Sequence, residues 1–108
     1  MSNSTPTQIV RLGVKELTDS IRANIRTILL TVRGEVPFRP GFGLGAERLL
    51  GGGMAGIDLV YEVAYQLNRY EKRIRLKQVL QKETTPGHRQ VTIRYEIVTT
   101  GEQEQITI

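Results

Sequence analysis

The sequence contains no cysteine and no tryptophan, and it has one histidine. Without cysteine the chain cannot form disulfides, thiolate metal sites or a cysteine nucleophile, and this composition fits a reducing cytoplasm. Aromatic residues make up only 6% of the chain, so the core must be built mainly from aliphatic side chains. Folding is therefore expected to depend on packing alone.

Long hydrophobic runs are also missing. No window approaches the roughly 18 apolar residues of a membrane span, and the first residues lack the basic and apolar segments of a signal peptide. We therefore expect a soluble, unprocessed protein. A chain of 108 residues has the size of one domain, so residues 1–108 are predicted to form a single domain with a flexible or extended leader at residues 1–13. The net charge of +4 favours acidic partners, nucleic acid among them.

Two helices are predicted from the spacing of apolar residues. The first ends near Thr31, and Thr18 or an earlier residue is expected to cap its start. Its apolar side is formed by Leu17, Ile21, Ile25, Ile28, Leu29 and Val32. The second helix spans residues 57–70, as indicated by Ile57, Val60, Tyr61, Ala64 and Leu67. Between them, residues 46–50 are predicted to form a single helical turn.

Glycine and proline are concentrated between the two helices, in residues 33–56. This composition predicts a structured loop, with Phe38, Phe42 and Leu44 as apolar anchors. The three consecutive glycines at positions 51–53 have no side chains to pack, so we expect an internal hinge there.

The second half of the chain has the alternating pattern of strands. Residues 74–83 are predicted to form a first strand with a β-bulge between Leu76 and Val79, and residues 90–99 a second. Residues 103–108 are predicted to form a third strand with Ile106 and Ile108 on one face. The predicted fold is α+β: two helices packed on a small three-stranded antiparallel sheet, with the glycine-rich loop between the helices.

Several residues were weighed as chemical sites. The glycines of residues 41–45 could cradle a phosphate, but the Lys-Ser/Thr ending of a phosphate-binding loop is absent. His88 is predicted to be an exposed turn residue, not a metal ligand. Glu35 and Glu71 could form the carboxylate pair of a glycosidase. The alternative interpretation is that Glu35 ties down its loop and that Glu71 is a surface charge at a helix end.

A basic stripe is the other candidate site. Arg73, Arg75 and Lys77 are predicted to project together from one face of the first strand, where they could bind phosphates or an acidic protein surface. No aromatic side chains alternate with them as a platform for bases, so binding of nucleic acid remains an alternative and not the leading hypothesis.

Residues 28–31, 34–36 and 39–43 read Ile-Leu-Leu-Thr, Gly-Glu-Val and Arg-Pro-Gly-Phe-Gly. In this order they resemble the helix-to-loop segment of the baseplate wedge proteins of contractile phage tails and their type VI secretion counterparts, the sheath initiators once labelled tail lysozymes. Residues 71–73, Glu-Lys-Arg, are similar to the Glu-Pro-Arg triplet of that family, with lysine in the place of proline. The loop residues that carry the resemblance are Gly34, Glu35, Arg39, Pro40, Phe42 and Gly43.

The resemblance implies a structural protein, not an enzyme, that needs no cofactor and no small-molecule substrate. It implies a contact with the wedge proteins through Glu71, Lys72 and Arg73, and further neighbours near the tube or hub. It also implies assembly in the cytoplasm and a final place in the baseplate of a phage tail or tail-like particle. A strand at a sheet edge can accept an extended arm of a sheath protein by main-chain hydrogen bonds. The residues expected to contact the sheath are Gln103, Glu104, Gln105, Ile106, Thr107 and Ile108.

Overall fold

The computed structural model describes the backbone of residues 6–51, 54 and 56–108, and the side chains from residue 13 onward. The elements in chain order are α1 (Pro6–Leu30), α2 (Ala46–Leu50), α3 (Gly56–Tyr70), β1 (Ile74–Thr85), β2 (His88–Ile97) and β3 (Gln103–Thr107). This is the predicted α+β arrangement, with the predicted helical turn present as α2. None of the helices described is both long and apolar enough to cross a membrane.

The predicted leader is wrong from residue 6 onward, because residues 6–13 belong to α1. Proline is compatible with the first turn of a helix, and one interior glycine costs only about 1 kcal/mol relative to alanine. Thr18 does not cap the helix either, because its Oγ1 donates to the carbonyl of Val14 at 3.0 Å inside α1. The rest of the leader, residues 1–5, and residues 52 and 53 of the predicted hinge lie outside the described residues.

The apolar side of α1 is confirmed for its central part. Ile21, Ile25, Ile28 and Leu29 are all fully buried. Val32 is an exception, since α1 ends at Leu30 and the side chain of Val32 is 52% exposed. The helix therefore packs on the core through three turns of aliphatic side chains.

The spacing of apolar residues predicts α3 correctly but not the face that it buries. Only Leu67 of that set is buried, whereas Ile57 and Tyr61 are 69% and 71% exposed. The buried residues of α3 are Leu59, Val63, Gln66 and Leu67. The helix has apolar residues on two sides, so periodicity alone could not decide which side faces the core.

The sheet is antiparallel in the order β1-β2-β3. Its register shifts between Leu76 and Gln78, where the β-bulge is predicted. The central strand supplies Val91, Ile93, Tyr95 and Ile97, all fully buried, and β3 adds Ile106 at 1% exposure. These side chains and those of α1 and α3 form one hydrophobic core. Strand β3 is left at an edge of the sheet.

Candidate functional site

The glycine-rich loop is fixed to α3 by Gln66. The main-chain N–H of Gly43 donates to Oε1 of Gln66 at 2.8 Å, and Nε2 of Gln66 donates to the carbonyl of Gly41 at 2.9 Å. The side chain of Gln66 is fully buried, so both ends of its amide need these partners. The N–H of Gly43, a donor that a phosphate would need, is thus used inside the protein.

Gly43 occupies a position that only glycine can fill. Its φ is +101°, and a Cβ would collide with the carbonyl group of Thr31 at the end of α1. The next glycine along the loop, Gly45, donates its N–H to the carbonyl of Leu29 at 3.0 Å. The loop is therefore joined to α1 through its backbone and to α3 through Gln66.

Aromatic and basic side chains stack where the loop meets the end of α3. The rings of Phe42 and Tyr70 are 4.8 Å apart between centroids, inclined at 70°. The guanidinium of Arg39 lies 4.9 Å from the Phe42 centroid and 5.2 Å from that of Tyr70. Phe42 and Leu44 are buried anchors, as predicted, but Phe38 is fully exposed and the prediction for it is wrong. A cleft beside this stack is lined by Phe38, Arg39, Pro40, Gly41, Tyr65, Arg69 and Tyr70.

Glu35 does not tie down the loop through its side chain. It is exposed, and within the described residues its carboxylate makes no hydrogen bond and no ion pair. Its main-chain N–H donates to the carbonyl of Val32 at 3.1 Å. Gly34, which precedes it, has a φ of +94° and allows the chain to turn there.

Glu71 is a buried carboxylate and not the predicted surface charge; only 2% of it is exposed. Its Oε1 accepts from Nε of Arg73 at 2.8 Å and from the Arg73 main-chain N–H at 3.0 Å. Its Oε2 accepts from Nη2 of Arg73 at 2.7 Å and from Nδ2 of Asn24 at 2.8 Å. The carboxylate therefore joins α1, the end of α3 and the start of β1. We call Asn24, Glu71 and Arg73 the carboxylate corner.

The carboxylate corner favours an ionised Glu71. Burial acts to raise the pKa of Glu71, but the hydrogen bonds from Arg73 and Asn24 outweigh burial and the pKa is lowered. The guanidinium of Arg73 continues outward, with Nη1 donating to Oγ of Ser20 at 3.0 Å. A glycosidase general acid needs a raised pKa and access to substrate, and Glu71 has neither.

Lys72 follows the end of α3 and stands where the related triplet has proline. It is exposed, and its Nζ donates to the carbonyl of Asn68 at 2.7 Å, one of the carbonyls left free in the last turn of the helix. The helix still ends at Tyr70. The exit from α3 therefore depends on this lysine and on the buried Glu71.

Each cation of the basic stripe predicted on β1 lies near a carboxylate of the chain, and two of the cations share one carboxylate. Arg73 pairs with Glu71, and both Arg75 and Lys77 face Glu96 on β2, with N–O distances of 4.0 and 3.2 Å. The hydrogen bond from Lys77 lowers the pKa of Glu96, with a further contribution from Gln103. These contacts give little support to a free surface for nucleic acid, because each cation already has a carboxylate near it.

The free side of β3 consists of the main-chain groups of alternate residues. Ile108 and Val91 exchange two hydrogen bonds, and the N–H of Ile97 donates to the carbonyl of Glu102. In an antiparallel ladder, residues alternate between those that hydrogen-bond to the neighbouring strand and those whose main-chain groups point away from it. Ile108 and Glu102 belong to the first kind. Gln103, Gln105 and Thr107 therefore direct N–H and C=O groups away from β2. We call these groups the β3 edge.

Arg22 of α1 donates a hydrogen bond to the β3 edge. Nη1 of Arg22 donates to the carbonyl of Gln105 at 2.9 Å and lies 3.9 Å from a carboxylate oxygen of Glu104. The side chain of Arg22 is 37% exposed. This contact covers the middle of the β3 edge with a side chain and not with a strand.

Sequence reasoning missed Asn24, Gln66 and Arg22. The first and last lie on the polar side of the predicted α1, where nothing distinguishes a buried partner from a solvated side chain. A signal existed for Gln66, because it shares helical spacing with Leu59, Val63 and Tyr70. A glutamine on an apolar face predicts a buried amide that must find partners.

The chain is similar to a known protein family and to solved structures. A family model described as baseplate wedge protein gp25 matches residues 15–102, well over half of the chain. No curated protein matches. The solved structures include a Geobacter sulfurreducens protein described as a tail lysozyme, with a TM-score of 0.65 and 25% sequence identity. The match covers 99% of this chain and 91% of that one.

Proposed function

The chain belongs to the baseplate wedge protein gp25 family, and from this premise we propose that it joins the wedge of a contractile tail to the first ring of the sheath. Membership of this family makes the protein a structural component of a phage-tail baseplate, in contact with other baseplate components. The proposal adds two specific contacts. The carboxylate corner and Lys72 face the wedge proteins, and the β3 edge receives a strand from the sheath.

The proposed wedge contact uses the outer part of the carboxylate corner. Glu71 is too buried to touch a partner, but it holds the guanidinium of Arg73, whose side chain is 37% exposed. Lys72 is exposed beside it. In this proposal Glu71 is a positioning residue, and Arg73 and Lys72 are the groups that reach the wedge.

The observation that carries the sheath proposal is the direction of the main-chain groups of β3. Gln103, Gln105 and Thr107 turn these groups away from β2, and no further strand of the described chain covers them. An extended segment can pair with such groups and obtain affinity from main-chain hydrogen bonds. The fixed position of β3 against β2 would set the register of the first added strand.

An incoming strand must displace Arg22 from the carbonyl of Gln105. This costs little, because Arg22 is already partly exposed and its guanidinium can exchange one carbonyl for water. Until then Arg22 protects the edge from pairing with other chains. Before the sheath protein binds, the side chain of Arg22 therefore occupies part of the β3 edge.

Gln105→Pro tests this proposal directly. Proline removes the outward N–H of residue 105 and puts a ring in the path of a new strand, yet it breaks no bond between β3 and β2. Gln105→Ala is the matched control, since it removes the same side chain and keeps the N–H. The measurement is the fraction of baseplates that carry sheath when the particle is assembled with each variant.

We expect baseplates with Gln105→Ala to start sheath normally, and those with Gln105→Pro to assemble but remain bare. Equal sheath formation by the two variants would overturn the strand-addition proposal. The protein would then be a wedge component that does not start the sheath by strand addition. Removing all of β3 would be a poorer test. Ile106 is buried in the core, so its loss would disturb folding as well as the edge.

The name of the Geobacter sulfurreducens protein raises peptidoglycan cleavage as a second function. The carboxylates of this chain do not favour it, because Glu71 is buried with a lowered pKa and Glu35 is an exposed loop residue. We therefore propose that the protein is not an enzyme. A turnover assay on purified cell walls separates the two functions: activity that disappears in both Glu35→Gln and Glu71→Gln, while both variants remain folded, would establish hydrolysis.

A further inference from the structure

The outward side of α3 is unusually apolar. Ile57, Tyr61 and Tyr65 are 69%, 71% and 54% exposed, and they recur at every fourth position. Such residues form one row along a helix, here roughly 12 Å long at 1.5 Å per residue. A surface helix ordinarily presents polar residues on the side opposite its core face. Here that side carries a second hydrophobic row.

Phe38, in the first part of the glycine-rich loop, is a further exposed apolar residue near this row. Its side chain is fully exposed, and its backbone φ of +65° is rare for a bulky residue. A strained backbone that presents an aromatic ring to solvent is common where a protein makes a functional contact. Phe38 and Tyr65 line the same cleft.

Two cations border this cleft, and neither has an acidic partner in the part of the chain that the structure describes. Arg39 and Arg69 both line it, and both stack on the ring of Tyr70, the latter at 5.5 Å from the centroid. Nε of Arg69 donates to the Tyr70 hydroxyl. No carboxylate among the described residues pairs with either guanidinium, in contrast to Arg73, Arg75 and Lys77. We call Ile57, Tyr61, Tyr65, Phe38, Arg39 and Arg69 the α3 surface.

We propose that the α3 surface binds an amphipathic, acidic helix of another baseplate subunit. The apolar row is a ridge of the kind that packs into the groove of a second helix. Arg39 and Arg69 complement carboxylates on the flank of that helix. A second copy of this chain fits less well, because it would add its own cations to a protein of net charge +4. The inference rests on the proposed baseplate role and uses a surface separate from the β3 edge.

A photo-crosslinking side chain placed at position 61 or 65 tests the inference in assembled particles. The same group at position 99, in the exposed turn before β3, is the control. We expect positions 61 and 65 to capture one segment of another subunit, and position 99 not to capture it. Mass spectrometry should find in that segment apolar residues at helical spacing and an excess of Asp and Glu.

Charge reversal supplies the second arm of the test. The double change Arg39→Glu and Arg69→Glu should lower the crosslinking yield at position 65 about tenfold, because it replaces attraction with repulsion. Arg26→Glu, an exposed charge reversal on α1, is the matched control and should leave the yield unchanged. Melting temperatures of the double variant and of the control separate loss of binding from loss of folding.

Three outcomes would overturn the inference: crosslinks only between copies of this chain, crosslinks to a basic or non-helical segment, or no crosslinks in particles that contain the protein. Particles that incorporate the chain and start sheath without these crosslinks would leave the proposed function standing. Failure of the chain to enter baseplates at all would instead contradict the proposed function.

Discussion

The carboxylate corner and the β3 edge are both proposed contacts, but they are built in opposite ways. In the carboxylate corner each oxygen of a buried carboxylate has two donors from the protein. At the β3 edge, main-chain groups face outward and a single arginine covers one of them. The first arrangement stabilises the free protein, whereas the second leaves hydrogen-bonding capacity for a partner.

The difference teaches that a recognisable motif need not be the surface that binds. The charged triplet at residues 71–73 is conspicuous in the sequence, but its acidic member serves the fold. The β3 edge has no special residue type, because its capacity lies in the direction of the backbone. Changes in the carboxylate corner should therefore lower the free energy of unfolding strongly, and changes at the β3 edge should lower it little.

Glu71→Arg should have the largest effect on stability. It removes a buried carboxylate and places a second cation beside Arg73, so we expect a loss of about 3–5 kcal/mol in the free energy of unfolding. Lys72→Glu, a charge reversal at the adjacent exposed position, should cost far less. Urea denaturation measures both, and equal losses for the two variants would show that the corner is not a buried network.

Gly43→Ala tests the rigid attachment of the loop in the same way. The new Cβ meets the carbonyl group of Thr31 at a positive φ, and we expect a loss of about 2 kcal/mol or more. Gly34→Ala is the matched control, because Gly34 has a similar φ of +94° with nothing within 4 Å of the added carbon. Its cost should be about 1 kcal/mol, from backbone strain alone. Thermal or urea unfolding that ranks the two variants in the opposite order would contradict this packing.

Acid should weaken the carboxylate corner. The pKa of Glu71 is lowered in the folded protein, so its contribution is complete above the unfolded value near 4.5. That contribution is lost as the pH falls through the folded pKa, because the carboxylate must then be protonated. Unfolding measured between pH 7 and pH 3 should show a steeper loss for the wild-type protein than for Glu71→Gln. Parallel curves would mean that Glu71 has no perturbed pKa.

Arg22→Ala should have the smallest effect on stability. The change removes one hydrogen bond from a partly exposed guanidinium, and we expect a loss of at most about 1 kcal/mol. The uncovered β3 edge should make the free protein more prone to associate through its strands. Sedimentation at increasing concentration measures that tendency, and Arg26→Ala, an exposed arginine on the same helix, is its control. An unfolding midpoint far below that of the control would place Arg22 among the stabilising contacts instead.

Local patterns in the sequence predicted most of the fold. The alternation of Val91 to Ile97, the bulge after Leu76 and the two long helices follow from spacing of two and 3.6 residues. The start of α1 was predicted wrongly because Gly13 and a polar beginning look like a break, and a long helix tolerates both.

The candidate sites were less predictable, because they depend on contacts between distant residues. Asn24 and Glu71 are 47 positions apart, and no local pattern in the sequence predicts their hydrogen bond. The buried side of α3 was missed for a related reason. Where a helix has apolar residues on two sides, only the rest of the fold decides which row is covered, and the other row is left for a partner.

Hydrogen exchange at the β3 edge tests the central claim most directly. The measurement compares the amides of Gln103, Gln105 and Thr107 in the free protein and in baseplates that carry sheath, with Glu104 and Ile106, which face β2, as internal references. The account predicts that the three outward amides exchange quickly in the free protein and become protected in the particle. Outward amides that exchange as quickly in sheathed particles as in the free protein would contradict it.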